Sequence, residues 1–160
     1  MLRMKKWIWI IIVVFLIGLG VSINTYVQAM KPVKSAREIA ETIAKKETEM
    51  KKLDSFQLYN GKESYYILEG KNDNNEDIIV WINEDNHQVT QRTKKDGLTK
   101  QEALNILLSK QSPEKINAVR LGMYDGLPVW EIYSHTDKDS LNYHWIDFET
   151  GEILLTIENY

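Results

Sequence analysis

Tyr143-His144-Trp145-Ile146-Asp147-Phe148-Glu149-Thr150-Gly151-Glu152-Ile153-Leu154 reads as a strand, a tight turn and the start of another strand, and a fainter copy of it begins at Trp81-Ile82-Asn83. Gly151 can supply the positive φ that a tight turn demands. In the earlier copy His87 stands where Gly151 does and Asn83 replaces Asp147, so that copy is the more divergent. An aromatic-rich run precedes each triplet, Tyr65-Tyr66-Ile67-Leu68 in one half and Val129-Trp130-Glu131-Ile132-Tyr133 in the other. Before those runs stand Tyr59-Asn60-Gly61 and Tyr124-Asp125-Gly126. Asn-Gly and Asp-Gly are the favoured type I′ hairpin turns. Farther upstream, Ser35-Ala36-Arg37-Glu38 and Thr99-Lys100-Gln101-Glu102 have the capping-box form, in which hydroxyl and carboxylate each satisfy an orphan amide at a helix start.

The boxes lie 64 residues apart, the turns 65 and the Trp-Ile triplets 64, and one duplication accounts for all three. Each box predicts a helix with one apolar stripe, Ile39, Ala40, Ile43, Ala44 and Met50 in the first and Ala103, Leu104, Leu107 and Leu108 in the second. The predicted class is α+β: an N-terminal transmembrane helix, then two tandem domains at 35–95 and 96–160, each one helix on a three- or four-stranded antiparallel sheet. Gly61, Trp81, Gly126, Trp130, Trp145, Asp147 and Gly151 are its structural landmarks, and the junction falls around Gly97. Ile78, Val80 and Ile82 alternate with Ile79 and Trp81, and Trp130 and Ile132 with Val129 and Tyr133, so both faces of the strands are apolar. One helix covers one face, and the sister domain is expected to cover the other.

Residues 7–23, WIWIIIVVFLIGLGVSI, hold no charge, and the apolar character continues weakly to Val27. A span needs roughly 17 to 25 residues, which predicts an anchor from Trp7 to Val27, a cytoplasmic tail at 1–6 and a linker at 28–34. Trp7, Trp9 and Tyr26 suit the interfacial belts, and membrane lipid is the anchor's partner. The alternative is a signal peptide cleaved after Ala29, since Val27-Gln28-Ala29 has small outer positions. Arg3, Lys5 and Lys6 are matched by Lys31, Lys34 and Arg37, so charge alone leaves orientation undecided. Long trailing domains translocate largely regardless of charge, which puts the domains outside.

Of 20 basic residues three stand before the apolar run, leaving 17 against 23 acidic ones; such a surface does not seek nucleic acid. There is no cysteine, hence no acylated lipoprotein, disulfide or thiolate site. His87, His135 and His144 lack metal-motif spacing and read as structural, as Trp81, Trp130 and Trp145 read as core. Asp137, Asp139, Asp147 and Glu149 are placed as solvated turn residues rather than calcium ligands. With no Gly-x-Ser-x-Gly elbow or phosphate loop, the reading is a non-enzyme without cofactor, expected to be a monomer.

With its anchor, its two repeats, VWEIY at 129–133 and YHWIDFETGEIL at 143–154, the whole chain resembles the YpmB/TseB family of Gram-positive cell-wall elongation regulators. The second repeat also resembles a PepSY domain, through Trp130-Glu131-Ile132 and the Asp147-to-Leu154 hairpin. The resemblance implies a tethered partner of a penicillin-binding transpeptidase in sidewall elongation, with no chemistry of its own. The PepSY likeness implies an alternative, an inhibitor or modulator of a cell-surface peptidase. Its candidate element is the Asp125-Gly126-Leu127-Pro128 turn, although Pro128 also suits a plain edge strand.

Overall fold

The computed structural model describes residues 2–136 and 140–158, with side chains from Ile12 onward. Asp137, Asp139, Asn159 and Tyr160 lie outside the described residues, and Trp7 is described only as helical backbone. The chain divides into two compact units, Met1–Glu38 and Ile39–Tyr160.

The first unit is helical. It holds most of α1 (Leu2–Glu47), whose part from Ile12 onward contains a window of mean hydropathy 1.8 and is long and apolar enough to cross a membrane. Within the apolar stretch the Ser22 and Thr25 hydroxyls donate to the Gly18 and Val21 carbonyls, each at 2.9 Å, so neither polar side chain asks for water. The sequence reading breaks the helix at 28–34 and restarts it at Ser35. Instead α1 runs on to Glu47, so Ser35 and Glu38 are interior positions and cap nothing. Gln28, Ala29, Met30 and Lys31 are good helix formers, and Pro32 removes one intrahelical donor without a glycine or turn residue beside it to complete a break. A Ser-x-x-Glu pattern is a cap only where the chain upstream has left the helix.

In the second unit, two four-stranded antiparallel meanders follow the last turns of α1. The first is β1 (Met50–Asn60), β2 (Ser64–Asn72), β3 (Asp77–Asn83) and β4 (Val89–Thr93); the second is β5 (Lys115–Tyr124), β6 (Leu127–His135), β7 (Leu141–Asp147) and β8 (Ile153–Ile157). Between them lie a single 3-10 turn, Lys94–Asp96, and α2 (Lys100–Lys110). The class is the α+β one the sequence predicts. Met50, expected on the first helix stripe, opens β1, while Ala40 and Ala44 on that stripe are fully buried. At α2 the capping box forms as read: the Thr99 hydroxyl accepts from the Glu102 amide and the Glu102 carboxylate from the Thr99 amide. Leu108, placed on the second stripe, points outward.

Every residue from Ile78 to Ile82 is buried, so β3 is covered on both faces. On one of them Tyr59, Tyr65, Ile67, Ile79 and Trp81 share a core with Leu121, Met123 and Phe148 of the second repeat. The Trp81 ring meets Phe148 edge-on, centroids 5.6 Å apart. The sister repeat is thus the cover the sequence calls for. On the second sheet, Leu107 of α2 packs with Ile132 and Ile146. Polar ties join the repeats as well: Gln57 donates to the Leu121 carbonyl at 2.9 Å, Lys62 pairs with Asp125 at 3.1 Å, and Arg92 pairs with Glu149.

The hairpin signals part ways. Asp125 and Gly126, at φ 46° and 80°, form the two-residue turn read for Asp-Gly. Asn60 instead pairs with Ser64 across a three-residue loop in which Gly61 keeps a negative φ. What Gly61 supplies is room, since a Cβ there would stand 2.7 Å from the Tyr59 hydroxyl oxygen. The β3–β4 and β7–β8 turns are one turn made twice. Asp147 Oδ1 accepts from the amides of Glu149 and Thr150, as Asn83 Oδ1 does from Asp85 and Asn86. His87 sits at φ 59° where Gly151 sits at 75°.

An exposed imidazole side chain in the left-handed region carries strain that glycine does not. His87→Gly is therefore expected to stabilise the fold by about 1 kcal/mol. Gly97→Ala should destabilise it by about 1–3 kcal/mol, because a Cβ there would meet Phe148 Cε1 at 2.0 Å. Thermal melts of the full chain in nanodiscs read both signs; a loss of stability in His87→Gly would show that the imidazole is held by contacts rather than strained.

Candidate functional site

Along β6, Trp130 and Ile132 turn toward α2, so Glu131 and Tyr133 take the opposite face, directly across from Trp145 and Tyr143 of β7. On that face lies a groove of about 540 Å3 whose walls are Tyr59, Tyr124, Tyr133, Tyr143 and Trp145, with Leu155 and Ile157 of β8 at one side. Tyr143 and Trp145 stand with planes 13° apart and centroids 6.0 Å apart, and Tyr133 meets Tyr143 edge-on at 4.7 Å.

Tyr59 comes from the first repeat and closes one end. Its ring lies between two glycines, for a Cβ on either Gly61 or Gly122 would approach it to 2.7 Å. The Trp145 indole N–H donates to its hydroxyl at 3.3 Å. Arg120 spreads its guanidinium over the Tyr59 and Tyr133 rings, 5.3 and 4.8 Å from their centroids, donates to the Tyr133 hydroxyl and approaches the buried Glu131 carboxylate at 3.4 Å. Burial pushes the Tyr59 phenol up to about 12. Burial first, then the neighbouring Glu131 carboxylate, raises Tyr133 further still. Both therefore remain neutral phenols at physiological pH. The two charged side chains in the lining each have an opposite charge beside them, Lys62 with Asp125 and Glu131 with Arg120. The groove is thus aromatic, and the charges in its lining are balanced. Among the described residues no cluster of His, Asp and Glu is placed to hold a metal ion.

Trp81 and Trp130 lie in the packed core, the latter donating to the Leu98 carbonyl at 2.8 Å. Trp145, read as core with them, is half-buried in the groove wall instead. Period-two patterning shows which residues share a face but not how far a neighbouring sheet covers it. His144 is fully buried on the α2 face, its nitrogens 3.1 Å from Ser134 Oγ and 3.2 Å from Thr156 Oγ1. His87 serves the turn, and His135 has a buried Nδ1 with no hydrogen-bond partner among the described residues. Pro128, read as suiting an edge strand, lies near the start of β6, a central strand, where a missing amide is tolerated.

A helix long and apolar enough to span a membrane, followed by two antiparallel sheets that share a core, defines an α+β protein of duplicated helix-and-sheet units. Residues 40–83 match the cell wall elongation regulator TseB-like domain, and residues 97–156 match the peptidase propeptide and YPEB domain, PepSY. The chain is 31% identical to the probable cell wall elongation regulator TseB of Bacillus subtilis (strain 168), over 98% of this chain and 99% of that one. It also superposes on the solved structure of the YpmB protein from Bacillus subtilis with TM-score 0.70 and 29% identity, covering 75% of this chain and 94% of that one. The chain belongs to the TseB family of cell wall elongation regulators.

Burial of His144 holds its imidazole below the ordinary value of 6.5, with Glu158 offsetting part of the shift. The unfolded chain then takes up the proton first, so this group's contribution is whole above pH 6.5 and is lost as pH falls through the window beneath it. Melting temperatures of the full chain between about pH 7.5 and about pH 5 should fall on the acid side, and His144→Gln should flatten that slope. An unchanged slope in the variant would assign the acid loss to other groups.

Proposed function

We propose that this chain is a non-catalytic, membrane-anchored module with its two sheets outside the cell, and that it regulates peptidoglycan synthesis in elongation by contacting a penicillin-binding transpeptidase. The observation that carries this reading is the match to the Bacillus subtilis regulator along 98% of the chain, through the apolar helix and both repeats alike. The anchor supports it physically. Confinement of two proteins to one bilayer raises their effective concentration, so a modest contact surface is enough. A groove whose own charges are balanced also suits a protein contact better than an anionic wall polymer.

A second reading draws on the PepSY match at residues 97–156, namely modulation of a cell-surface peptidase. The β5–β6 turn is its candidate element, with Leu127 47% exposed beside Asp125 and Gly126.

Photoreactive residues placed in turn across both repeats, in intact cells, separate the two. Capture of a penicillin-binding transpeptidase from a clustered set of positions is the expected result. Capture of a peptidase through the β5–β6 turn, with loss of its activity when the full chain is added, would replace the first reading by the second.

A further inference from the structure

Among the described residues β8 is the last strand of its sheet and pairs with β7 alone. Its five residues, Ile-Leu-Leu-Thr-Ile, carry no charge and no proline, the usual devices that blunt an edge. The other end of the same sheet is treated differently: β5 lies against the first sheet, with Tyr59 on Gly122 and Gln57 on the Leu121 carbonyl. One edge is thus covered within the fold, and among the described residues the other is left with outward-facing amides and carbonyls.

Register connects that edge to the groove. Leu155 stands across from Trp145 and Ile157 across from Tyr143, so both point to the groove face and line it, while Thr156 turns to His144 on the other side. A further strand added to β8 would place every second side chain beside Leu155 and Ile157, on the groove face and facing toward the Tyr143–Trp145 pair one strand further on. The groove is aromatic and its lining charges are already opposed, so those side chains are large, apolar and uncharged.

We propose that β8 and the aromatic groove form one docking site for an extended segment of a partner protein, which adds as a fifth strand to the second sheet and seats alternate aromatic or branched aliphatic side chains in the groove. Main-chain hydrogen bonds to β8 hold the segment, and the groove selects it. This rests on the reading that the chain acts through protein contact, but does not depend on which protein is contacted.

The test uses the full chain in nanodiscs and a random library of peptides about a dozen residues long, displayed on phage, followed by synthetic copies of the enriched peptides. Enrichment of alternating apolar sequences is expected, with slowed amide exchange across Ile153–Ile157 when such a peptide binds. Ile157 is 37% exposed, so Ile157→Lys leaves the fold intact, and it should weaken binding about tenfold by setting an unpaired charge against an apolar side chain. Three results would overturn the proposal: no enriched peptide; binding that leaves β8 exchange unchanged; or β8 protection that grows with protein concentration alone, which would make a second copy the occupant. Binding of an N-acetylglucosamine tetramer, lost in Trp145→Ala while peptides fail, would also overturn it in favour of a sugar platform. Such failures leave the regulator reading standing, because crosslinking judges that one at any surface.

Discussion

The seat of one ring governs both the joint between the repeats and the groove beside it. Tyr59 projects from the end of β1 into a slot bounded by Gly61 and Gly122, where any side chain would collide with it. Its exposure is 1%, so folding removes nearly the whole ring from water, worth on the order of 2 kcal/mol. Two groups of the second repeat then orient against it, the Trp145 indole donating to its hydroxyl and Arg120 lying over its face, and Arg120 in turn holds Tyr133 and Glu131. Because Tyr59 belongs to the first repeat and these partners to the second, the groove wall is complete only when the repeats are docked.

Much of this architecture was legible in the chain because duplication repeats the same local chemistry. An acid or amide that gathers two following amides, then a residue at positive φ, produced the same turn at Asn83 and at Asp147, even with His87 standing in for glycine. The Thr99 box and the Asp125-Gly126 turn were equally local, each decided within four residues. Where the reading failed, the deciding term lay outside the motif. Ser35 and Glu38 satisfy the capping pattern, yet the helix arriving from upstream leaves no free amide end for them to cap. Asn60-Gly61 satisfies the hairpin pattern, yet the bulk of Tyr59 determines what the glycine is for.

The groove was the least legible feature. Alternation along β6 and β7 announces two apolar faces and suggests that both are buried. Whether a face is buried fully, or only along part of its length, depends on the angle and offset at which the neighbouring sheet meets it, and no local pattern encodes that. Trp81 and Trp145 occupy the same place in the two repeats, and the first is fully buried while the second is half-buried in a wall.

That inequality follows from how two copies of one unit can meet. If the repeats packed with the same patch on each side, Trp81 and Trp145 would be covered alike. Here one face of the first sheet receives the β5 edge of the second, along with Leu121 and Met123, so different surfaces meet and the packing is heterologous. A heterologous pair that stops at two members must leave one surface of each kind uncovered. The central strand β3 of the first sheet has both faces covered, and on the second sheet the counterpart of its Trp81 face is the half-covered Trp145 face. Docking of unlike surfaces therefore leaves the Trp145 face part-open beside the β8 edge, which ends its meander as β4 ends the other. The ion pairs Lys62–Asp125 and Arg120–Glu131 leave the charges of that lining opposed, so the part-open face is apolar in character.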